Sequence, residues 1–400
     1  MVLIFRCRTF YSPLSNAHGR KRMAMKLGKS LFSILLATTL ALLGCGKREE
    51  SAKVAASEIK VAAVAPLTGS QAKIGTDMVR GTEIAIEEWN ARGGVLGKKV
   101  VLLKGDDEAS PKQATSVARD LVDQGVVGVV GHFNSGCTIP ASTIYNDAKV
   151  ICITPAATNP LVTGRGFRGM FRVCGRDDQQ GSAAARFAID KLHVKRVAIL
   201  HDKTTYGQGL ADELKKTLKA NGIQPVYYAG VPKEETDFRA VVTAIKDTNP
   251  DLWYFGGIYD QGGPLVNQAR QVGLTAPLMS GDGLIDKEFI RTTGKNGEGA
   301  YLTFGPDPNK VPTAKDFIAK YRAKYGEPGP YSIYGYDAMN ILLTAIQNTG
   351  TADFNALADY MHTHPFDTAM GKLEFDPKGD IKGSYYVMWV VTNGQFAVVE

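Results

Sequence analysis

The chain has 400 residues, with 47 lysines and arginines against 40 aspartates and glutamates, a net charge of +7 that would suit a nucleic-acid or membrane-surface partner. Residues 1–44, however, hold seven basic side chains (Arg6, Arg8, Arg20, Lys21, Arg22, Lys26, Lys29) and no acidic one. The chain from Cys45 onward is therefore formally neutral, which excludes a nucleic-acid partner. With 44% hydrophobic and 22% charged residues, disorder and collagen are also excluded, and a body of about 350 residues points to two domains.

In chain order, Lys26 and Lys29 precede an uncharged run, Leu31 to Leu43, which is too short to span a membrane comfortably and reads as the core of an export signal. Met23 or Met25 would start a compact signal, so residues 1–22 read as an extended start. Leu42-Leu43-Gly44-Cys45 resembles the lipobox of bacterial lipoproteins, which implies lipidation of Cys45 after cleavage of a 1–44 signal peptide. Residues 45–57 read as a flexible tether. Beyond residue 44 no apolar run approaches the roughly 20 residues needed to cross a bilayer. Cys137, Cys152 and Cys174 are odd in number and lack C-x-x-C spacing, so buried free thiols are expected and a zinc site is not.

From Glu58 strand-like apolar runs alternate with amphipathic stretches. The pattern predicts strands at Ile59–Pro66, Val100–Asp107, Val126–Gly131 and Val150–Pro155, with helices at Gly75–Ala91, from Ser110-Pro111 to Val122, and Thr138–Ala148. β-Branched runs without polar alternation suit strands buried on both faces of a parallel sheet. The rhythm restarts after Gly175. Helices are expected at Asp177–Lys191, Gly209–Ala220, Phe238–Lys246 and Gly263–Gln271, and strands at Arg196–Asp202, Pro225–Tyr228, Asp251–Gly256 and Pro277–Ser280. A third stretch holds helices near Thr313–Tyr325, Tyr334–Asn348 and Asp353–His362, then strands at Gly371–Phe375 and Tyr385–Val391. The fold class is α/β, two doubly wound units in series whose ligand sites lie off the carboxyl ends of the strands.

Local motifs carry little chemistry. Gly164-Arg165-Gly166-Phe167-Arg168-Gly169 fits the dinucleotide glycine pattern but leads into a strand and reads as a surface loop. Asp106-Asp107 and Asp177-Asp178 stand at strand ends before helices, where carboxylates satisfy free amides. No nucleophile, base and orienting group stand out, and no cofactor or metal is called for.

Taken together, Val64-Ala65-Pro66-Leu67-Thr68-Gly69, Gly131-His132-Phe133-Asn134-Ser135, Thr154-Pro155-Ala156-Ala157-Thr158-Asn159-Pro160, Gly175-Arg176-Asp177-Asp178-Gln179-Gln180-Gly181, His201-Asp202-Lys203, Tyr206-Gly207-Gln208-Gly209 and Gly379-Asp380-Ile381-Lys382-Gly383 resemble, in order, the Leu/Ile/Val-binding proteins of branched-chain amino-acid ABC transporters. The resemblance runs from about Glu58 to the C-terminus. It implies a two-lobed Venus-flytrap fold of type I, each lobe a mostly parallel sheet flanked by helices. Lobe 1 would comprise 58–175 with 306–383 and lobe 2 would comprise 176–305 with 384–400, with hinge crossings near Gly175-Arg176, Phe304-Gly305-Pro306 and Gly383-Ser384.

The resemblance also implies a ligand site. Ser135, the Ala156 backbone and Thr158 would grip an α-carboxylate, chemistry that hydroxyls and amides at a helix N-terminus supply. Asp282, which stands between glycines as a turn residue also would, would take the α-ammonium. Tyr206 and Tyr336 would close the cleft, with Ala157, Phe133, Asn134, Ile74 and Ile258 around the side chain. Ala109 and Asn134 stand where some relatives carry a disulfide, so that bridge is absent. The expected function is a lipid-anchored, monomeric, non-enzymatic receptor at the periplasm or outer face of the cell membrane, closing on leucine, isoleucine or valine and delivering it to permease subunits. Alternatives are a receptor for another small ligand such as an amide or urea, a ligand sensor, or a small-amide hydrolase using Ser135 or Cys137.

Overall fold

A computed structural model describes residues 58–383 and 386–399; the signal peptide, the Cys45 lipidation site, the 45–57 tether and the Ser384 crossing lie outside the described residues. The β-branched runs form β1 (Glu58–Ala65), β2 (Lys99–Asp106), β3 (Gly128–Gly131), β4 (Ile151–Thr154) and β5 (Met170–Arg172), an all-parallel sheet of order β2-β1-β3-β4-β5. Helices α1 (Ala72–Ala91), α2 (Pro111–Asp123), α3 (Ser135–Asp147) and the short α4 (Leu161–Gly164) connect them. As expected, Ser110 caps α2 by accepting the Gln113 amide, with Pro111 at the first helical position.

The chain then passes to α5 (Asp177–Asp190) and a second sheet. Its elements are β6 (Val197–His201), α6 (Thr205–Ala220), β7 (Tyr227–Gly230), α7 (Arg239–Asp247), β8 (Leu252–Gly256), α8 (Tyr259–Gln271), β9 (Leu278–Ser280), α9 (Lys287–Thr293) and β10 (Tyr301–Phe304). Three helices follow, α10 (Lys315–Tyr325), α11 (Ser332–Thr349) and α12 (Phe354–Thr363), then a hairpin of β11 (Phe366–Thr368) and β12 (Gly371–Leu373). The last strands, β13 (Val387–Thr392) and β14 (Gln395–Val398), join the second sheet antiparallel, giving the order β14-β13-β10-β9-β8-β6-β7.

The third stretch has no sheet of its own size because its longest helix belongs to the first lobe. Ten residues of α1 and twelve of α11 are buried, and α11 lies directly on α1. The approach depends on glycine: a Cβ on Gly81 would collide with the Ser332 carbonyl, and one on Gly335 with the Met78 carbonyl. The sheet interiors are fully buried, from Val61, Val129 and Ile153 in the first to Ile199, Trp253 and Met279 in the second. Each such side chain contributes roughly 1.5–3 kcal/mol by leaving water.

Several helices begin earlier than periodicity suggested. α1 starts at Ala72, α3 at Ser135, α6 at Thr205 and α8 at Tyr259, each in a first turn rich in polar or glycine residues that hides the apolar period. β7 lies at Tyr227–Gly230, two residues later than expected, since Pro225 has no amide for the ladder. Among the described residues no helix is long and apolar enough to cross a membrane.

Candidate functional site

The carboxyl ends of the parallel strands of both sheets face one another across a cleft. From the first lobe come the loop after β1, the turn His132–Asn134 after β3 and the turn Pro155–Asn159 after β4; from the second come Asp202–Thr204 after β6, Gly257–Ile258 after β8 and Gly281–Asp282 after β9. Between them lies a cavity of about 20 Å³, lined by Phe133, Asn134, Ser135, Ala156, Tyr206, Ile258, Asp282, Gly283 and Tyr331. That is too small for an amino acid, so the lobes are drawn together more tightly than an occupied cleft would allow.

The first-lobe wall is made of backbone and small side chains. Asn134 stands at the N-cap position of α3 without a side-chain cap hydrogen bond, and Ser135 is the first residue of the helix. The Ser135 hydroxyl accepts the Asn159 amide at 3.2 Å, leaving its own proton to be donated. Thr154 Oγ1 accepts the Ala157 amide at 2.9 Å and the Ala156 amide at 3.3 Å, and donates to the His132 carbonyl at 2.7 Å. Behind this turn stands Arg172, fully buried in β5. Its guanidinium donates to the carbonyls of Ala157 and Asn159, both at 3.1 Å, to Thr163 Oγ1 at 2.6 Å and to Asp380 Oδ1 at 2.5 Å. Arg176 adds 2.9 Å to the other Asp380 oxygen. Burial alone would raise the Asp380 carboxyl, but Arg172, Arg176 and Thr163 hold it below the usual carboxylate range.

The second-lobe wall is made of side chains. Asp282 is buried, with Oδ1 accepting the Tyr206 hydroxyl at 2.7 Å and Oδ2 the Tyr331 hydroxyl at 2.6 Å. Burial pushes its carboxyl up against these hydrogen bonds. The flanking glycines have a packing role: side chains at Gly281 or Gly283 would crowd the Tyr206 ring and hydroxyl, which accepts the Gly283 amide at 3.0 Å. Asp177, in the first turn of α5, is fully buried, and neither of its oxygens has a hydrogen-bond partner. Burial, then the charge of Asp282, pushes its carboxyl well above the usual range. Gln180 Oε1 and Tyr254 OH are buried without partners as well, as is Thr158 Oγ1 on the first-lobe side.

The structure thus gathers Phe133, Asn134, Ser135, Ala156, Tyr206, Ile258 and Asp282 around one cavity. Ala157 and Thr158 lie behind the Ala156 turn, their carbonyls taken by Arg172 and by the Asp177 amide. Ile74 is buried in α1 and does not line the cavity. Tyr336 is also placed elsewhere: one turn into α11, its ring packs on Phe317 and its hydroxyl donates to Glu88 at 2.8 Å. The aromatic that reaches the cavity is Tyr331, just before that helix, packed edge-on against Phe133. Sequence reasoning missed Tyr331 and Arg172, although an arginine inside the apolar run Met170–Val173 was itself a signal, since a charge there demands partners.

Nothing in the cleft activates a nucleophile. Cys137, Cys152 and Cys174 are free and buried, and burial pushes the Cys137 thiol far up and that of Cys152 to about 12. Ser135 Oγ bonds an amide and no base. Asp107, His132 and Tyr145 form a hydrogen-bonded chain, but all three are fully buried behind the wall. Among the described residues no cluster could hold a metal ion.

The geometry agrees with comparison to known proteins. The family model described as periplasmic binding protein matches residues 58–395. A protein of Pseudomonas aeruginosa named amino acid binding protein is 45% identical over 338 residues, covering 84% of this chain and 90% of that one. A protein of Brucella abortus named Leu/Ile/Val-binding protein homolog 2 is 42% identical over 340 residues, 85% and 92% of the two chains. Among solved structures, a leucine binding protein LivK of Thermotoga maritima superposes with a TM-score of 0.80 at 32% identity, covering 86% of this chain and 98% of that one. The branched-chain amino acid transporter substrate binding protein LivJ of Streptococcus pneumoniae, solved in complex with isoleucine, gives 0.79 at 29%, covering 86% and 99%. The two-lobed type I periplasmic-binding-protein fold is shared with both. These relatives are substrate-binding proteins and not enzymes.

Proposed function

Since the chain belongs to the periplasmic binding protein family, we propose that it is the extracytoplasmic receptor of an ABC transporter, a monomer held at the membrane by lipid on Cys45, which captures leucine, isoleucine or valine and hands it to permease subunits. The observation that carries the reading is the opposition of two chemistries across one cavity. A buried carboxylate, Asp282, with two tyrosine hydroxyls faces the Ser135 hydroxyl and the helix N-terminus of α3.

An α-ammonium placed against Asp282 supplies the positive charge that this buried carboxylate and its neighbour Asp177 lack. The α-carboxylate then meets the Ser135 proton and the first free amides of α3, where the helix dipole favours an anion. Phe133 and Ile258 give the side chain apolar contact. Lobe 1, made of 58–175 with 306–383, and lobe 2, made of 176–305 with 384–400, part to admit the ligand and close as hinged bodies when it bridges them. Ser70 Oγ to Asp260 Oδ2 at 2.5 Å, and Asn159 Nδ2 to the Thr205 carbonyl at 2.9 Å, join the two lobes, and opening of the cleft would break them.

Calorimetric titration with the twenty amino acids tests the reading. Saturable binding of leucine, isoleucine or valine at one site per chain is expected. Binding of an amide, urea or aromatic acid with no response to any α-amino acid would overturn the ligand assignment.

A further inference from the structure

A second cavity lies apart from the one that Asp282 lines. Tyr331 borders the inner cavity; Phe304 packs edge-on against it, ring centres 5.4 Å apart, and borders a separate cavity of about 250 Å³ that shares no lining residue with the first. The walls are apolar and come from two sides. Phe317, Ile318 and Ile333 stand on α10 and α11, which pack on α1, and Ile285, Trp389 and Phe396 precede α9 or lie in β13 and β14 of the second sheet. An apolar cavity of about 150 Å³ accepts a benzene molecule, so this one has room for an aromatic ring with a short chain.

One wall residue is charged and incompletely paired. Asp286 is only 2% exposed, and its Oδ1 accepts the Glu288 amide at 2.9 Å at the start of α9. Among the described residues nothing donates to its Oδ2, which is not sealed off as the oxygens of Asp177 are. Burial pushes this carboxyl up, against the Glu288 amide and the charge of Lys73. Two of the three cations on the rim are already engaged, Lys73 with Asp77 and Arg322 Nε with Glu327 at 2.9 Å, and the third, Lys287, is exposed to solvent.

We propose that this cavity is a second ligand site, for a small aromatic amine whose ring fills the apolar space and whose ammonium donates to Asp286 Oδ2. The site stands independently of the amino-acid reading, because the two cavities have no residue in common. An ammonium supplies the donor that the free carboxylate oxygen lacks, and the Phe304 and Trp389 rings add attraction for a cation. A neutral alcohol of the same shape keeps the apolar contact and loses the charge-assisted bond. A carboxylate in that place meets Asp286 as a like charge.

The test is calorimetry of the full chain, with and without saturating leucine, using phenethylamine, its neutral counterpart 2-phenylethanol and the anion 3-phenylpropionate. Phenethylamine is expected to bind at one site whether or not leucine is present, about tenfold tighter than 2-phenylethanol, the worth of one charge-assisted hydrogen bond, with 3-phenylpropionate weakest. Asp286→Asn keeps a good helix cap and should weaken phenethylamine about tenfold while leaving 2-phenylethanol within about twofold. Ile318→Trp, which fills the cavity, should abolish binding of both and leave leucine within about twofold. Amine binding that leucine displaces, that is no tighter than that of the alcohol, or that survives both substitutions overturns the proposal, as does no binding at all. If leucine itself fails to bind, the proposed function falls, and loss of amine binding in Ile318→Trp still decides this site.

Discussion

The two walls of the cleft solve opposite problems. On the first lobe the turn at the cleft is a backbone surface whose main supports, Thr154, Thr163, Arg172 and Asp380, all have hydrogen-bond partners, although Thr158 Oγ1 and Asn134 Oδ1 beside them have none. On the second lobe Asp177, Gln180 and Tyr254 are buried with oxygens that have none, and Asp282 relies on two tyrosines, one of them from the opposite lobe. The first wall is braced chiefly by its own hydrogen bonds. The second carries buried unpaired acceptors at a cost in stability; under the proposed amino-acid reading an incoming ammonium would relieve it, and ligand binding and lobe closure would be coupled chiefly through it.

The largest effect should come from the first wall. Arg172→Ala removes four hydrogen bonds and leaves the buried Asp380 to Arg176 and Thr163 alone, and losing one partner of such a buried pair costs up to roughly 3–5 kcal/mol. Urea unfolding should show that loss in the ligand-free protein. A change under about 1 kcal/mol would mean that the first wall is not the pre-organised one. Asp282→Asn on the second wall should behave in the opposite way. The ligand-free protein is expected to be as stable as before or more so, because a buried charge beside Asp177 is gone. Leucine affinity should fall by about a hundredfold, roughly 2.7 kcal/mol.

Acidity separates the walls by sign. Asp177 and Asp202, the latter raised to about 6 by burial, keep protons that the unfolded chain, with carboxyls near 4, has already released. They contribute stability below about pH 4 that is lost as the pH rises through their folded values. Asp380, held low by its arginines, contributes stability above about pH 4 that is lost on acidification. Asp177→Asn should therefore raise stability at pH 8 by about 1–2 kcal/mol and leave pH 4 nearly unchanged. Unfolding curves at the two pH values check it, and a loss of stability at pH 8 would show that Asp177 is paired in solution.

The sequence makes the sheets legible because strands buried on both faces cannot alternate, as in Val126–Gly131 and Val150–Pro155. Ser135, Ala156 and Asp282 were legible from family motifs, each at a strand end where the fold leaves little freedom of direction. Arg172 was not assigned, because its partner Asp380 lies 208 residues away in sequence. Asp177 was read as a helix-end carboxylate, and it is in the first turn of α5, but its oxygens bond no amide. Helix starts were lost wherever polar first turns masked the period, and the family resemblance pointed to Tyr336 where Tyr331 lines the cavity.

The smallest predicted effect tests that last point. Tyr331-Ser332-Ile333-Tyr334-Gly335-Tyr336 presents three tyrosines, and composition cannot say which faces the cleft. The answer depends on where α11 begins. With Ser332 as its first residue, Tyr331 stands outside the helix and reaches Asp282, while Tyr336 points to Glu88 and Phe317. Tyr331→Phe should lower leucine affinity by about tenfold, the worth of one hydrogen bond to a charged group, because the hydroxyl that orients Asp282 from the opposite lobe is lost while the ring still packs on Phe133. Tyr336→Phe should leave affinity within about twofold, since its bond to Glu88 lies outside the cavity. The reverse ranking in parallel titrations would return the ligand contact to Tyr336 and place the start of α11 differently in the bound state.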